Sequence, residues 1–357
     1  MMHLNEKICV SVVGARGYAG LELARILLRH PKVELHSCFA GEQSFALSDL
    51  LPEAAAKKVP VHSIDALEAN LPALDVVFLA TPAAASLELA PKILAAGKTV
   101  IDLSGAFRLN TAETQQWYGL EKSESLAEAI YGLSPFAQPK LIAKGGTLIA
   151  NPGCYATAVL MALVPLLKAG VIEENSLVID AKSGTSGAGR KAAENQLFTE
   201  VEGECLPYRV GKHQHLPEIS RWAENLGGIA IDPFFTTSLL PIRRGITAGL
   251  YAKLKLGKSA LHVAAAFTKA YGDYPLVRFA PAEGIAANQT MHSALSLKKV
   301  VGTARVHLEF EVVGEKLYLF SLIDNLLKGA ASQAVENMNS LYGFPVGLAL
   351  GDMEGVL

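Results

Sequence analysis

Up to about Ala150, short β-branched runs alternate with helix-like stretches, the pattern of a parallel sheet covered on both faces. ICVSVV (Ile8 to Val13) predicts a first strand, and LELARILLRH (Leu21 to His30) an amphipathic helix stopped by Pro31. VELHSCFA (Val33 to Ala40), DVVFLA (Asp75 to Ala80), TVIDLS (Thr99 to Ser104) and GTLIA (Gly146 to Ala150) predict further strands, with a helix from about Pro82 to Ala96 among them. Asn151 to Gly153 is a candidate boundary, because Pro and Gly break the pattern there.

A continuous apolar run from Cys154 to Lys168 then predicts a buried helix. Beyond it the period shortens toward two. LVIDAKS, GIAIDPFFTTSLL, GLYAKLKL, VVGTARVHLEFEVV and KLYLFSLID read as strands with few long helices between them, which suggests a largely antiparallel sheet. Helical spacing returns from Asp324 to Gly343, a segment able to dock back on the first domain. The expected architecture is α/β: a Rossmann-type parallel-sheet domain over residues 1–153 and 325–357, and an α+β domain over 154–324.

Length favours two domains over one, since single cores rarely grow past about 300 residues. Lys plus Arg (32) nearly balance Asp plus Glu (34), so nothing points to a nucleic-acid or anionic-membrane partner. Four scattered cysteines, Cys9, Cys38, Cys154 and Cys205, suit a reducing cytoplasm better than a disulfide framework or a zinc site. The apolar run of Lys7 to Ala15 is short and passes into a glycine motif rather than a signal-peptide cleavage site.

That motif, GARGYAG, places Gly14, Ala15, Arg16, Gly17, Tyr18, Ala19 and Gly20 between a strand and a helix. Glycines there let backbone N–H groups approach a pyrophosphate and seat it at a positive helix end, although the spacing is not G-x-G-x-x-G. NAD enzymes usually hold the ribose with an acid at the end of the second strand. Here that end reads Ser37-Cys38-Phe39-Ala40-Gly41, which favours NADP(H), with Arg16 or Ser37 able to meet the 2′-phosphate.

A cysteine in an apolar stretch is ordinarily an inert core residue. Cys154 differs, because Pro152-Gly153 set it at a helix N-terminus, where thiolate and oxyanion are both favoured. An acid/base partner is on offer in GKHQHLPEI. His213 and His215 would share one face of an extended segment, and Pro217-Glu218 would open a helix able to hold a carboxylate against an imidazole. No third ligand accompanies the pair, so no metal site is expected. SGTSGAGR (Ser183 to Arg190) and DLSGAFR (Asp102 to Arg108) are loops able to hold a phosphate or carboxylate.

NPGCYAT, SGTSGAGRKA, HQHLPEI, PIRRGI, DLSGAFRL and DNLLKGAASQA, in this arrangement behind the glycine motif, resemble the N-acetyl-γ-glutamyl-phosphate reductases, NADP enzymes of arginine biosynthesis. The likeness runs nearly end to end. It implies Cys154 as nucleophile, His215 as acid/base oriented by Glu218, and His213 as a substrate-side neighbour, with the two histidines' roles open to exchange. It further implies Arg108, Asn151 and the loop holding Ser183, Gly184 and Arg190 as substrate anchors, Asn325 near the nicotinamide, and a homo-oligomer built on the antiparallel sheet. The chain departs from the family pattern at three points: Ala156 stands where Pro is common, a change expected to affect the helix start slightly; YGLSP (Tyr131 to Pro135) lacks the usual acid; and the end of the second strand has no arginine for a 2′-phosphate. Acetyl-aminoadipyl phosphate or a carrier-bound analogue, as in lysine synthesis, is the alternative substrate. Aspartate-semialdehyde dehydrogenases fit the H-x-H-x-P-E stretch less well. A catalytically silent NADP-sensing module is the alternative of a different class, and the Cys154, His215 and Glu218 set argues against it.

Overall fold

A computed structural model describes residues 7–41, 45–122, 128–138, 146–191, 193–279 and 295–351. Among the described residues the chain divides into two compact units, one formed by 7–152 with 330–351, the other by Gly153–Gly329. Gly153 and residues 325–329, assigned from the sequence to the first domain, thus belong with the second. The outermost ends of the expected first domain, 1–6 and 352–357, lie outside the described residues.

The first unit is built on seven strands: β1 (Ile8–Val13), β2 (Val33–Ala40), β3 (Val61–Ser63), β4 (Val76–Leu79), β5 (Thr99–Asp102), β6 (Ile130–Tyr131) and β7 (Leu148–Ala150). They pair in the order β3-β2-β1-β4-β5-β7-β6, every pair parallel. All residues of β4 and β5 are buried, as expected of strands sandwiched between helices. Tyr18–Arg29 forms the first helix, burying Leu23, Ala24, Ile26 and Leu27. It begins a turn earlier than the apolar period suggested, because Gly17 in an extended conformation caps it. Ala83–Ala95 forms the helix between β4 and β5.

A helix at Thr111–Tyr118 was not expected. It buries only Thr114 and starts in a capping box, where Asn110 accepts from the Glu113 N–H and Glu113 accepts from the Asn110 N–H. The C-terminal helix, Ser332–Leu341, packs on the Tyr18–Arg29 helix and on β5.

In the second unit, Cys154–Lys168 is a helix whose residues from Tyr155 to Leu167 are all buried. It is the core around which the unit forms, packed against the sheet and against helices His215–Gly227 and Ala260–Tyr271. Ala156 lies buried in its first turn, and the helix begins at Cys154. The sheet comprises β8 (Val178–Gly184), β9 (Leu206–Pro207), β10 (Phe234–Leu240), β11 (Ile246–Lys253), β12 (Val277–Arg278), β13 (Val306–Val313) and β14 (Lys316–Ile323). Their order is β12-β13-β14-β11-β8-β10-β9. The pairs β8/β10 and β12/β13 are parallel and the other four antiparallel, giving the mixed, largely antiparallel sheet expected.

Two local expectations need correction. The helix expected at Pro217 begins at His215, and Gln214 before it is already α-helical, so His213 and His215 do not alternate along an extended segment. The strand expected from Gly228 begins only at Phe234, because Gly228 is the left-handed cap of the preceding helix. The Ala260–Tyr271 helix was passed over among the strands, although its buried face (Val263, Ala264, Phe267, Tyr271) keeps a helical period.

Candidate active site

In the first unit, a cavity of about 720 Å³ opens at the carboxyl ends of β1, β2 and β4, on either side of the point where the strand order reverses. Gly14, Arg16 and Gly17 line it, with Ala40, Gly41, Ala80 and Thr81. Gly14 has φ 86, and a side chain there would sit 2.4 Å from the Ala80 carbonyl oxygen, so only glycine lets the turn after β1 lie against the end of β4. No side-chain bond caps the Tyr18–Arg29 helix at Gly17, so its positive end is presented to the cavity by backbone alone. This cradle fits the pyrophosphate of a dinucleotide. Among the described residues, its lining holds one cation, Arg16, and no carboxylate.

Ala15 of the turn and Tyr18, Ala19 and Gly20 of the helix that follows do not line the cavity. Ser37 corrects the sequence reading: it lies inside β2, paired with Ser11 of β1 and fully buried, three residues short of the strand end that borders the cavity.

Arg108 and Asn151 meet in the same unit as parts of its frame. Arg108 Nε donates to the Asn151 carbonyl oxygen at 2.8 Å and Nη2 to that of Leu103 at 2.7 Å. The Asn151 amide donates to the Ala330 carbonyl and accepts from Asn337. These bonds fix the backbone leading into Pro152.

The second unit holds a separate cavity of about 310 Å³ beside Cys154. Ser183, Gly184, His213 and His215 line it, as do Tyr155, Tyr208, Arg209 and Gln214, which the sequence did not single out. Cys154 is the first residue of its helix and partly buried. The preceding Gly153 N–H donates to Glu218 Oε1 at 2.8 Å, so this fully buried carboxylate ties down the end of the helix that carries the sulfur.

The two imidazole centroids are 4.9 Å apart. His213 Nδ1 accepts from the His215 backbone N–H at 3.1 Å, and its ring meets Tyr155, Tyr208 and Phe235 edge-on. Burial first, then His215 and the Arg209 charge, lower its pKa to about 3. It is therefore neutral at physiological pH. The Tyr208 hydroxyl donates to that of Tyr155 at 2.9 Å, and burial pushes Tyr208 up to about 12 and Tyr155 well above its ordinary value.

The rest of the expected set lies at the rim or beneath it. Arg190 is exposed and outside the lining. Asn325 is buried under two loops, its amide oxygen accepting from the Gly245 N–H at 2.8 Å and its nitrogen donating to Ser186 Oγ at 3.0 Å. Asp324 holds Arg244 in an ion pair of 3.0 Å. Among the described residues no group of three metal-ligating side chains occurs, and no helix is long and apolar enough to cross a membrane.

Two family descriptions match: "semialdehyde dehydrogenase, NAD binding domain" over residues 9–144 and "semialdehyde dehydrogenase, dimerisation domain" over 154–325. The N-acetyl-γ-glutamyl-phosphate reductase of Thiobacillus denitrificans is 39% identical over 97% of this chain and 98% of its own. That of Streptococcus thermophilus is 39% identical over 94% and 96%. Aspartate semialdehyde dehydrogenase II from Vibrio cholerae shares the fold, with a TM-score of 0.66 at 16% identity over 94% of this chain and 98% of that one.

Proposed function

The chain belongs to the N-acetyl-γ-glutamyl-phosphate reductases of the semialdehyde dehydrogenase superfamily, and we propose that it reduces N-acetyl-γ-glutamyl phosphate to the semialdehyde through a thioester on Cys154. The observation that carries this reading is the cavity in which Cys154, at the start of a helix, meets His213 and His215.

Cys154 as thiolate attacks the acyl carbon; the C–O bond to phosphate breaks and phosphate leaves, giving a thioester. Backbone N–H groups at the helix start receive the oxyanion. When bound, the reduced nicotinamide supplies a hydride to the thioester carbon. His215 gives a proton to the resulting oxyanion and removes it again as the thiohemiacetal breaks its C–S bond, releasing aldehyde and thiolate. His213 is not the acid, since it stays neutral and its Nδ1 is committed to the His215 N–H. Glu218 acts on the sulfur's helix through Gly153.

The Gly14–Gly17 cradle suits the cofactor's pyrophosphate. Arg16, with no carboxylate among the described lining residues, favours NADP over NAD. Four free cysteines suit a reducing cytoplasm. The open face of the second unit's sheet is the surface on which two copies would meet.

The test is phosphate-dependent reduction of NADP⁺ with N-acetylglutamate semialdehyde, followed by absorbance. Cys154→Ser should remove nearly all turnover while NADPH affinity stays within about twofold of the parent. Undiminished turnover by Cys154→Ser would exclude the thioester route.

A further inference from the structure

We propose that Arg209 is the residue that reads the α-carboxylate of the substrate, and so sets which acyl phosphates this cavity accepts. The assignment rests on the function proposed above. It starts from a mismatch of charge: with the acyl phosphate end at Cys154, the remote end of N-acetylglutamyl phosphate presents a carboxylate and an acetamido group. Desolvating a carboxylate without a partner is costly, so the cavity needs a cation away from the sulfur.

Among the described residues lining the cavity, Arg209 is the one Lys or Arg, and no Asp or Glu accompanies it. Arg190 and Lys191 lie outside the lining. The charge of Arg209 is felt within, where it adds to the lowering of His213 and opposes the burial that raises Tyr208.

Its placement is built. Arg209 has φ 48, a left-handed backbone that a non-glycine side chain enters only at a cost. The Lys212 N–H closes this turn on the Arg209 carbonyl at 2.9 Å. The guanidinium is braced as well, Nη1 donating to Gln214 Oε1 at 2.8 Å, and Gln214 is the residue just before the helix that begins with His215. Carboxylate reader and acid/base are therefore held by one turn of chain. A guanidinium with one N–H committed to Gln214 retains others for a forked pair with a carboxylate.

The experiment compares two aldehydes in the phosphate-dependent oxidation: N-acetylglutamate semialdehyde, and 4-acetamidobutanal, which lacks only the carboxylate. The parent should prefer the first in kcat/KM by about 100-fold or more. Arg209→Gln should raise KM for the semialdehyde about 10- to 100-fold with little change in kcat, and leave 4-acetamidobutanal unchanged, so that the preference collapses. Arg209→Lys should restore part of it, and Gln214→Ala should lose about 3- to 10-fold. NADPH binding and thermal unfolding of each variant separate a lost contact from a lost fold. Retention of the full preference by Arg209→Gln would overturn the assignment, as would a rise confined to the KM for phosphate. If the parent oxidises neither aldehyde, the proposed function falls first and takes this assignment with it.

Discussion

The backbone N–H of His215 donates to Nδ1 of His213 across 3.1 Å, so the two imidazoles, close as they are, are not equivalent. One is an acceptor locked in place and neutral; the other opens a helix and lines the cavity together with Cys154. His215→Asn should lower kcat/KM by about 100- to 10,000-fold, the range for losing an acid/base group. His213→Asn keeps an oxygen acceptor near the same position and should cost about tenfold or less. Steady-state kinetics of both variants decide the assignment, and an equal loss in the two would defeat it.

Burial of these groups also shapes stability against acid. His213 is lowered from 6.5 to about 3, and His30, buried beside Asn339, is lowered as well. An unfolded chain takes up protons at these sites near pH 6.5 while the folded chain does not, so stability falls as pH drops from about 6.5 toward 3. Above that window both states are neutral at these sites and the effect vanishes. Urea unfolding at pH 7 and at pH 4.5 should show a smaller acid penalty in His213→Gln than in the parent.

How far the sequence reveals this molecule depends on how local each cause is. The start of the Cys154 helix is legible because Pro152-Gly153 must precede it and an apolar run must follow. Strands β1, β2, β4 and β5 are legible for the same reason, each being a short apolar run between breakers. The Thr111–Tyr118 helix carried its signal in Asn110 and Glu113, but a helix that buries one threonine has no apolar stripe to draw notice. Tyr208 and Arg209 had no local signal. They reach the cavity because the Tyr208 N–H pairs with the Thr237 carbonyl and the Thr237 hydroxyl with the Tyr208 carbonyl, a pairing across 29 residues. Ser37 was misplaced although the bounds of its strand were legible: pairing with Ser11 of β1 sets it inside the buried sheet, three residues before the strand ends at Ala40.

Gly329 presses on the nucleophile's helix. A side chain at Gly329 would lie 2.7 Å from Cys154 Cβ and 3.1 Å from its Cα, and the glycine belongs to a wide helical turn, Leu327–Ala331, anchored where its N–H donates to the Asp324 carbonyl. Backbone and a Cβ cannot yield as a flexible side-chain tip can. Gly329→Ala should therefore displace Cys154, cutting turnover about 100-fold or more and slowing alkylation of the sulfur by iodoacetamide, while NADPH affinity is retained. Parent-like alkylation and turnover would show that the contact is slack.

The open face of the second unit's sheet carries a row that is too apolar to be left to water. Phe234 of β10 pairs with Val178 of β8, Val178 with Tyr251 of β11, and Tyr251 with Tyr318 of β14, the ladder ending at Glu311 of β13. Phe234, Val178 and Tyr318 are exposed, and Phe320 stacks edge-on against Tyr251 from the next rung. A flat row spanning four strands can meet its own copy through a two-fold axis, burying the aromatic rings while Glu311 remains at the end. The family description of this segment as a dimerisation domain agrees with that use. Val178→Glu with Tyr318→Glu would face like charges across such an axis without touching the core side of the sheet. Sedimentation should show the double variant falling to monomer mass with its far-UV dichroism intact, and an unchanged oligomer would place the contact on another surface.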